Sequence, residues 1–166
     1  GCSENEAPDD KLDPSKGPEI VRIVPAGEAL AGAHIPTLDP STLHEAEIRK
    51  VLGTSRRCDF RYTSTGKPVV AIGLPSGQTA LNGVVQLNGH LVVLSSSSNF
   101  DSAKRTERFD MTADPVRIAV IPKQQEKGLD RLQARRQEAN MIFEVGHSLR
   151  VGYGGYLECK SEASAE

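Results

Sequence analysis

From Cys58 onward, the chain consists of short apolar runs, many of them β-branched, that are separated by turn residues. The predicted strands are 58–62, 68–72, 84–87, 90–94, 105–111, 116–121, 141–145 and 149–159. Short strands that are each followed by a turn are typical of an antiparallel meander that forms a barrel or a sandwich. The sequence therefore predicts a mainly β fold with one or two short helices.

The strongest local signal in the chain is the pair Asn88-Gly89. It lies between the apolar runs 84–87 and 90–94, and Asn-Gly suits the positive φ angles of a two-residue type I′ turn. We therefore expect these runs to form a tight hairpin. A second pair of strands is predicted around Asp114-Pro115.

One short helix is predicted before the strands. Thr42 and Glu45 have the spacing of a capping box, and Gly53 supplies a left-handed stop. The helix should therefore span 42–52. Its apolar positions form a narrow stripe, which is enough to lie on a sheet and too little to build a helical bundle.

The chain divides into a tether, one domain and a short tail. Residues 1–18 are rich in Asp, Glu, Pro and Lys and predict a flexible acidic tether. Residues 19–160 predict a single β-rich domain, long enough to bury a core without metals or many crosslinks. Within it, 19–24 predict a first strand or an extended lead-in, and 25–40 predict irregular structure because they contain three prolines. Residues 161–166 are expected to be disordered.

The charge balance constrains the class of partner. The first 19 residues hold six acidic and two basic groups, so the remainder carries 18 basic and 16 acidic groups. This nearly neutral body argues against non-specific nucleic-acid binding. The hydrophobic fraction is 37%, and the sequence has no apolar run long enough for a transmembrane helix.

The first cysteine lies in the sequence Gly1-Cys2-Ser3. Gly1-Cys2 resembles the end of a lipobox, where a small residue precedes the cysteine that receives the lipid in a mature bacterial lipoprotein. The resemblance implies lipid attachment at Cys2 and membrane association through that anchor. It also implies that Ser3 favours the outer membrane over the inner one. The alternative is that Gly1 is the remnant of a tag.

With Cys2 assigned to lipid, Cys58 and Cys159 remain as an even pair. A lipoprotein of the cell envelope would lie in an oxidising compartment, so we expect these two cysteines to form a disulfide. The alternative is two unpaired buried thiols. Zinc binding is not indicated, because zinc sites use close pairs such as C-x-x-C.

The remaining motifs do not indicate catalysis or cofactor binding. The histidines are His34, His44, His90 and His147, and no two of them have a metal-ligand spacing on one helix face. His44-Glu45 begins like a zinc-protease motif but lacks the second histidine. The chain has no G-x-S-x-G elbow, phosphate loop or dinucleotide fingerprint. We therefore predict no metal, no organic cofactor and no catalytic residue.

The last predicted strand contains Gly152-Tyr153-Gly154-Gly155-Tyr156. This run resembles a glycine-rich loop, but it opens no helix. We expect its glycines to mark a bulge or a sharp bend, and Tyr153 and Tyr156 to pack or form hydrogen bonds at an edge.

Two polar segments are candidate contact surfaces. Residues 124–139 predict either a solvated helix or a long loop, and their Arg131, Arg135 and Arg136 form a candidate basic face for partner binding. An ordinary solvated surface is the alternative. The second segment is the polar loop 95–104.

These features together favour a lipid-anchored, non-enzymatic module of the bacterial envelope that faces the periplasm. Such a module would bind or inhibit an envelope protein partner, or support the envelope. The anchor, the short strands and one long-range cysteine pair resemble the lysozyme-inhibitor lipoproteins in architecture, and this resemblance transfers no site residue. The alternative is an envelope hydrolase with a loop-assembled site, in which His90 or His147 would lie beside a nucleophile.

Overall fold

The computed structural model describes residues 21–54, 56–74, 81–96, 108–123 and 136–160. In these residues the chain forms a closed barrel of eight antiparallel strands. Each strand pairs with the next one along the chain, and the last strand pairs with the first. The prediction of a mainly β meander is therefore confirmed, and the meander closes as a barrel.

The eight strands are β1 (Arg57–Arg61), β2 (Pro68–Gly73), β3 (Asn82–Leu87), β4 (His90–Ser96), β5 (Phe109–Ala113), β6 (Val116–Pro122), β7 (Arg136–Val145) and β8 (Leu149–Lys160). The helices are α1 (Ala26–Leu30), a 3₁₀ helix (Ile35–Thr37) and α2 (Glu45–Leu52). The turns β1–β2, β3–β4, β5–β6 and β7–β8 are short and lie at one end of the barrel.

The inward-facing side chains fill the barrel. The period of two along each strand places apolar residues inside, and among them Phe60, Met111, Met141 and Phe143 are at most 1% exposed. These residues belong to one continuous hydrophobic cluster. The barrel interior is therefore a packed core.

The predicted hairpin is confirmed. Leu87 pairs with His90, and the two residues between them have positive φ angles, 51° at Asn88 and 81° at Gly89. Both angles are those of a type I′ turn, whose twist matches that of the flanking strands. Asp114 and Pro115 likewise connect the paired strands β5 and β6, as the sequence predicts.

The helix α2 begins three residues later than the sequence predicts. The helix begins at Glu45, and the capping pair is His44 and Glu47, because the His44 N–H donates to Glu47 Oε1 at 2.9 Å. Residues before it are held in extended structure, since Ser41 pairs with Gln86 and the Leu43 N–H donates to the Pro68 carbonyl. Barrel pairing therefore delays the start of the helix.

Residues 25–40 are more regular than their prolines predict. Pro25 precedes α1, and its carbonyl accepts hydrogen bonds from the amides of Glu28 and Ala29. Ala29 is fully buried, and its carbonyl accepts a hydrogen bond from Asn88 Nδ2 in the β3–β4 turn. Residues 24–40 thus cover the barrel end that carries the short turns, which we term the capped end.

The helix α2 packs on the outer surface of the barrel. Ile48 of α2 and the preceding Leu43 are both fully buried and lie against Ala71, Val84 and Leu91 of three neighbouring strands. Outward-facing apolar residues of β2, β3 and β4 are thereby removed from water. This second cluster explains why β2 is buried on both faces.

The sequence predicts a bulge or a sharp bend at the glycines of the last strand, and the β7–β8 ladder contains no bulge. β7 and β8 pair without a register shift from Arg136↔Glu158 to Val145↔Leu149. The irregularity lies instead in the β1–β2 ladder, between Phe60 and Arg61. The need for glycine at position 155 comes from close packing: a Cβ there would lie 2.1 Å from the Arg61 carbonyl oxygen and 2.7 Å from Phe60 Cζ.

We predict that Gly155→Ala destabilises the barrel by about 1 to 3 kcal/mol, because the added methyl group meets the backbone of β1. Gly152→Ala is the matched control in the same strand, since a Cβ at Gly152 meets no atom within 4 Å. The control should change the free energy of unfolding by less than about 0.5 kcal/mol. Urea unfolding of both variants measures the difference, and equal midpoints would contradict the packing argument.

Candidate functional site

The disulfide expected from the sequence is present. Cys58 and Cys159 are bonded, and they are direct partners in the β1–β8 ladder. Cys58 is buried in the core, whereas Cys159 is partly exposed. We term the β1–β8 pairing the closing seam, because it joins the first and last strands. The disulfide fixes this seam from the inside.

A row of charged side chains lies on the outer side of the closing seam. Arg57 donates two hydrogen bonds to Glu45 of α2, at 2.9 and 2.6 Å, and two to Asp59, at 3.0 and 3.3 Å. The side chains of Arg57 and Asp59 are 8% and 1% exposed. Burial alone would lower the pKa of Arg57, but its hydrogen bonds and the charges of Glu45 and Asp59 raise it above the usual range. Arg57 is therefore a permanent cation.

The row continues on both sides of Arg57. Arg61 lies 3.7 Å from Asp59 and 3.4 Å from Glu158 of β8, and Arg49 donates to Glu45 at 3.1 Å. Each charge faces an opposite one, so the row has a structural role in joining α2, β1 and β8. Charged and apolar residues alternate from Arg57 to Arg61 in the sequence, and this alternation could have predicted a charged outer face on β1.

A second polar cluster lies at the capped end. The Tyr153 hydroxyl donates to Asp39 Oδ1, and the Tyr62 hydroxyl donates to the Pro40 carbonyl at 2.8 Å. The two rings lie 5.3 Å apart. Burial raises the pKa of both tyrosines, and the Asp39 carboxylate raises it further. Both hydroxyls therefore stay protonated and hold residues 39–40 on the barrel.

The histidines of the alternative hydrolase hypothesis both lie at the capped end. His90 follows the β3–β4 turn, and its Nδ1 is buried without a hydrogen-bond partner in the described part of the chain. His147 is exposed in the β7–β8 turn. Within the described residues, neither imidazole forms a hydrogen bond with a serine, threonine or cysteine side chain. The structure therefore brings together no nucleophile and base there.

The described residues offer neither a candidate metal site nor a membrane-spanning helix. Across the described ranges, no three His, Cys, Asp or Glu side chains are grouped so that they could hold a metal ion. The same residues contain no helix with the length and apolar character needed to cross a membrane.

The predicted basic face is only partly within the described residues. Arg131 and Arg135 lie outside them, as does Cys2. Arg136 is exposed at the start of β7, where its Nη1 donates to the Ser64 carbonyl at 3.2 Å. Residues 136–139 form part of β7, so this portion of the predicted helix or loop is a strand. Of the loop 95–104, Ser95 and Ser96 end β4, and the rest lies outside the described residues.

The barrel surface carries an apolar groove that the sequence analysis does not predict. It is open, has a volume of about 350 Å³, and is lined by Ile23, Val24, Pro25, Val93, Ala113 and Asp114. It lies between the lead-in to α1 on one side and the β5–β6 turn on the other. We term it the β4 gap. We term residues 21–24 the lead-in. They are extended, and Ile23 forms a parallel bridge with Leu91 of β4.

Of the two apolar side chains exposed at the β4 gap, only the outward position of Val93 can be predicted from the sequence. Alternation in the run from His90 to Leu94 places Val93 on the outer face, where an exposed apolar residue is informative. That Ile23 lies beside it follows only from the folded path of the lead-in. Ile23 and Val93 are 70 positions apart in the sequence, and their proximity has no local signature.

The fold and its surfaces define a class: an eight-stranded meander barrel with a packed core, a covered end and a disulfide-fixed closing seam. The chain belongs to the family described as Domain of unknown function (DUF6692), whose profile matches residues 1–162. No curated protein matches the chain. No solved structure matches it either.

Proposed function

We propose that this protein is a non-enzymatic module of the bacterial cell envelope that binds a protein partner through its outer surface. The observation that supports the proposal is the filled barrel. Fully buried side chains such as Phe60 and Phe143 occupy the interior, and residues 24–40 cover one end. A barrel of this kind offers contact surfaces to a partner in preference to an internal cavity.

The envelope location is part of the proposal. The Cys58–Cys159 disulfide supports it, because disulfides persist in oxidising compartments. Cys2 is the expected lipid attachment residue, and the protein would face the periplasm, anchored in the outer membrane. Labelling of cells with a radioactive fatty acid tests this point. The label should enter the protein and be lost in Cys2→Ser, and an unlabelled wild-type protein would contradict the anchor.

Partner binding can be tested at the basic face predicted from the sequence. We expect charge reversal at Arg131, Arg135 and Arg136 to weaken capture of an envelope protein by at least about tenfold, or about 1.4 kcal/mol. The thermal transition should change little, because Arg136 is exposed. Quantitative capture from solubilised envelopes, with the captured protein identified by mass spectrometry, gives the measurement.

A control for this experiment makes the same change in net charge elsewhere. Lys50, Lys67 and Arg150 are exposed, and their reversal should leave capture unchanged. Equal loss of capture in both triple variants would indicate non-specific electrostatics. Undiminished capture by the first variant would remove the basic face as a binding surface.

The hydrolase is the second candidate function, and the unpartnered, buried Nδ1 of His90 is the observation that favours it. A panel of ester, peptide and glycan substrates distinguishes the two proposals. Under the binding proposal, the protein turns over none of them. The binding proposal would be overturned if the protein turned over a substrate and His90→Ala or His147→Ala abolished that turnover.

A further inference from the structure

On the side of β4 away from β3, the segment that pairs with β4 changes along the strand. Leu91 exchanges backbone hydrogen bonds with the lead-in, donating to the Arg22 carbonyl and accepting from the Val24 amide. Ser95, four residues after Leu91, pairs instead with Thr112 of β5. Val93 lies between these two pairings, so its N–H and C=O point into the β4 gap without a ladder partner.

Both neighbours of β4 turn away from it at this opening. The lead-in leaves β4 after Val24, and the chain continues through Pro25 into α1. On the other side, β5 ends at Ala113, and the turn Asp114-Pro115 leads away into β6. Neither neighbour can therefore extend its pairing to Val93.

The β4 gap is also the exposed apolar site of the described surface. Ile23 and Val93, 44% and 38% exposed, are the large hydrophobic residues that the described part of the chain leaves exposed. Both line the gap, above the buried Val24 and Val92. An extended peptide that adds to a sheet binds through free backbone groups and through neighbouring apolar side chains, and the β4 gap offers both.

A charge at one side of the gap indicates the chemistry of the occupant. Asp114 is exposed at the β5–β6 turn, and the described residues form no ion pair with its carboxylate. A lysine or arginine on the occupant would complement this carboxylate. An acidic residue at the same place would be repelled.

We propose that the β4 gap binds an extended, basic peptide segment of a partner protein. The backbone of the segment exchanges hydrogen bonds with the Val93 N–H and C=O. One of its apolar side chains packs between Ile23 and Val93, and a lysine or arginine next to that side chain faces Asp114. The inference deepens the proposed function, on which it rests, by assigning a contact surface and a class of partner.

The test uses synthetic peptides as probes. The first is a capped seven-residue peptide of alternating valine and threonine with a lysine at each end, and its matched partner carries glutamate in place of lysine. A third peptide is the lysine form with an N-methyl group on the central residue, which removes one backbone donor. Titration into the ¹⁵N-labelled full chain is followed by NMR.

We expect the lysine peptide to shift the amide signals of Ile23, Val24, Val93 and Asp114. The N-methylated peptide should bind at least about tenfold more weakly, because it loses a backbone hydrogen bond and adds a steric clash. Asp114→Asn should weaken binding of the lysine peptide about two- to fivefold, as for an exposed ion pair. The same substitution should reduce the difference between the lysine and glutamate peptides.

Three outcomes would overturn the inference. They are an absence of shifts at the β4 gap, equal binding of the lysine and glutamate peptides, and concentration-dependent shifts at Ile23 and Val93 without peptide. The last outcome, checked by analytical ultracentrifugation, would assign the gap to a second copy of the chain. Retained capture of an envelope partner in these cases would leave the proposed function standing, whereas substrate turnover would overturn that function independently.

Discussion

Replacing Cys58 and Cys159 together with alanine is expected to lower the free energy of unfolding by about 4 to 5 kcal/mol. The two cysteines are 101 positions apart, and a crosslink over about 100 residues restricts the unfolded chain by this amount in the chain-entropy model. They also join the first and last strands of the barrel. The loss is therefore a large fraction of the stability of a typical domain.

Urea unfolding of the double variant, compared with the oxidised wild-type protein, measures this loss. Cys2→Ser is the control, because Cys2 takes no part in the bridge, and it should leave the unfolding midpoint unchanged. A double variant that unfolds at the wild-type urea concentration would contradict the assigned role of the disulfide in stabilising the closing seam.

The second large effect is expected at Arg57. We predict that Arg57→Met lowers the free energy of unfolding by about 3 to 5 kcal/mol, as does the removal of one partner from other buried ion pairs. The substitution would leave Asp59, whose side chain is 1% exposed, without its closest cation, and it would release Glu45 of α2 from β1.

Arg49→Gln is the matched control for Arg57→Met, since Arg49 donates to the same Glu45 carboxylate from an exposed position. It should cost less than about 0.5 kcal/mol. Thermal unfolding by circular dichroism, with the two variants measured in the same buffer, provides the comparison. Similar losses in both variants would show that burial of Arg57 contributes little.

These two predictions concern opposite faces of the same strand pair. The Cys58–Cys159 bridge joins β1 and β8 on the core side, while Arg57, Asp59 and Arg61 lie on the outer side of β1 and reach α2 and β8. A barrel made of consecutive hairpins has one long-range pairing, the one that closes it. The chain places its covalent bond and its buried ion pairs at that pairing.

Much of the barrel could be predicted from the sequence because its strands are local features. The apolar runs on both sides of Asn88-Gly89 specify a hairpin by their alternation and by the φ angles that the turn requires. The same argument holds for β5 and β6 around Asp114-Pro115. The disulfide was predictable from the number of cysteines and from the compartment that the lipobox resemblance implies, without knowledge of the register that aligns Cys58 with Cys159.

The candidate site could not be predicted in this way. The outward position of Val93 follows from alternation, but the β4 gap exists because Ile23 pairs beside Leu91 and because the β4–β5 ladder stops short of Val93. The requirement for glycine at position 155 likewise depends on its approach to Phe60 and Arg61 of another strand. Neither relation has a signature in neighbouring residues.

The sequence by itself determined the strands, the tight turns and the pairing of two cysteines, because alternation, turn chemistry and residue counts act over a few neighbouring positions. Tertiary structure alone decided that the meander closes as a barrel, that residues 24–40 cover one end, and that α2 starts at Glu45. These features depend on contacts between residues far apart in the chain. Such contacts become favourable only when the whole barrel is assembled.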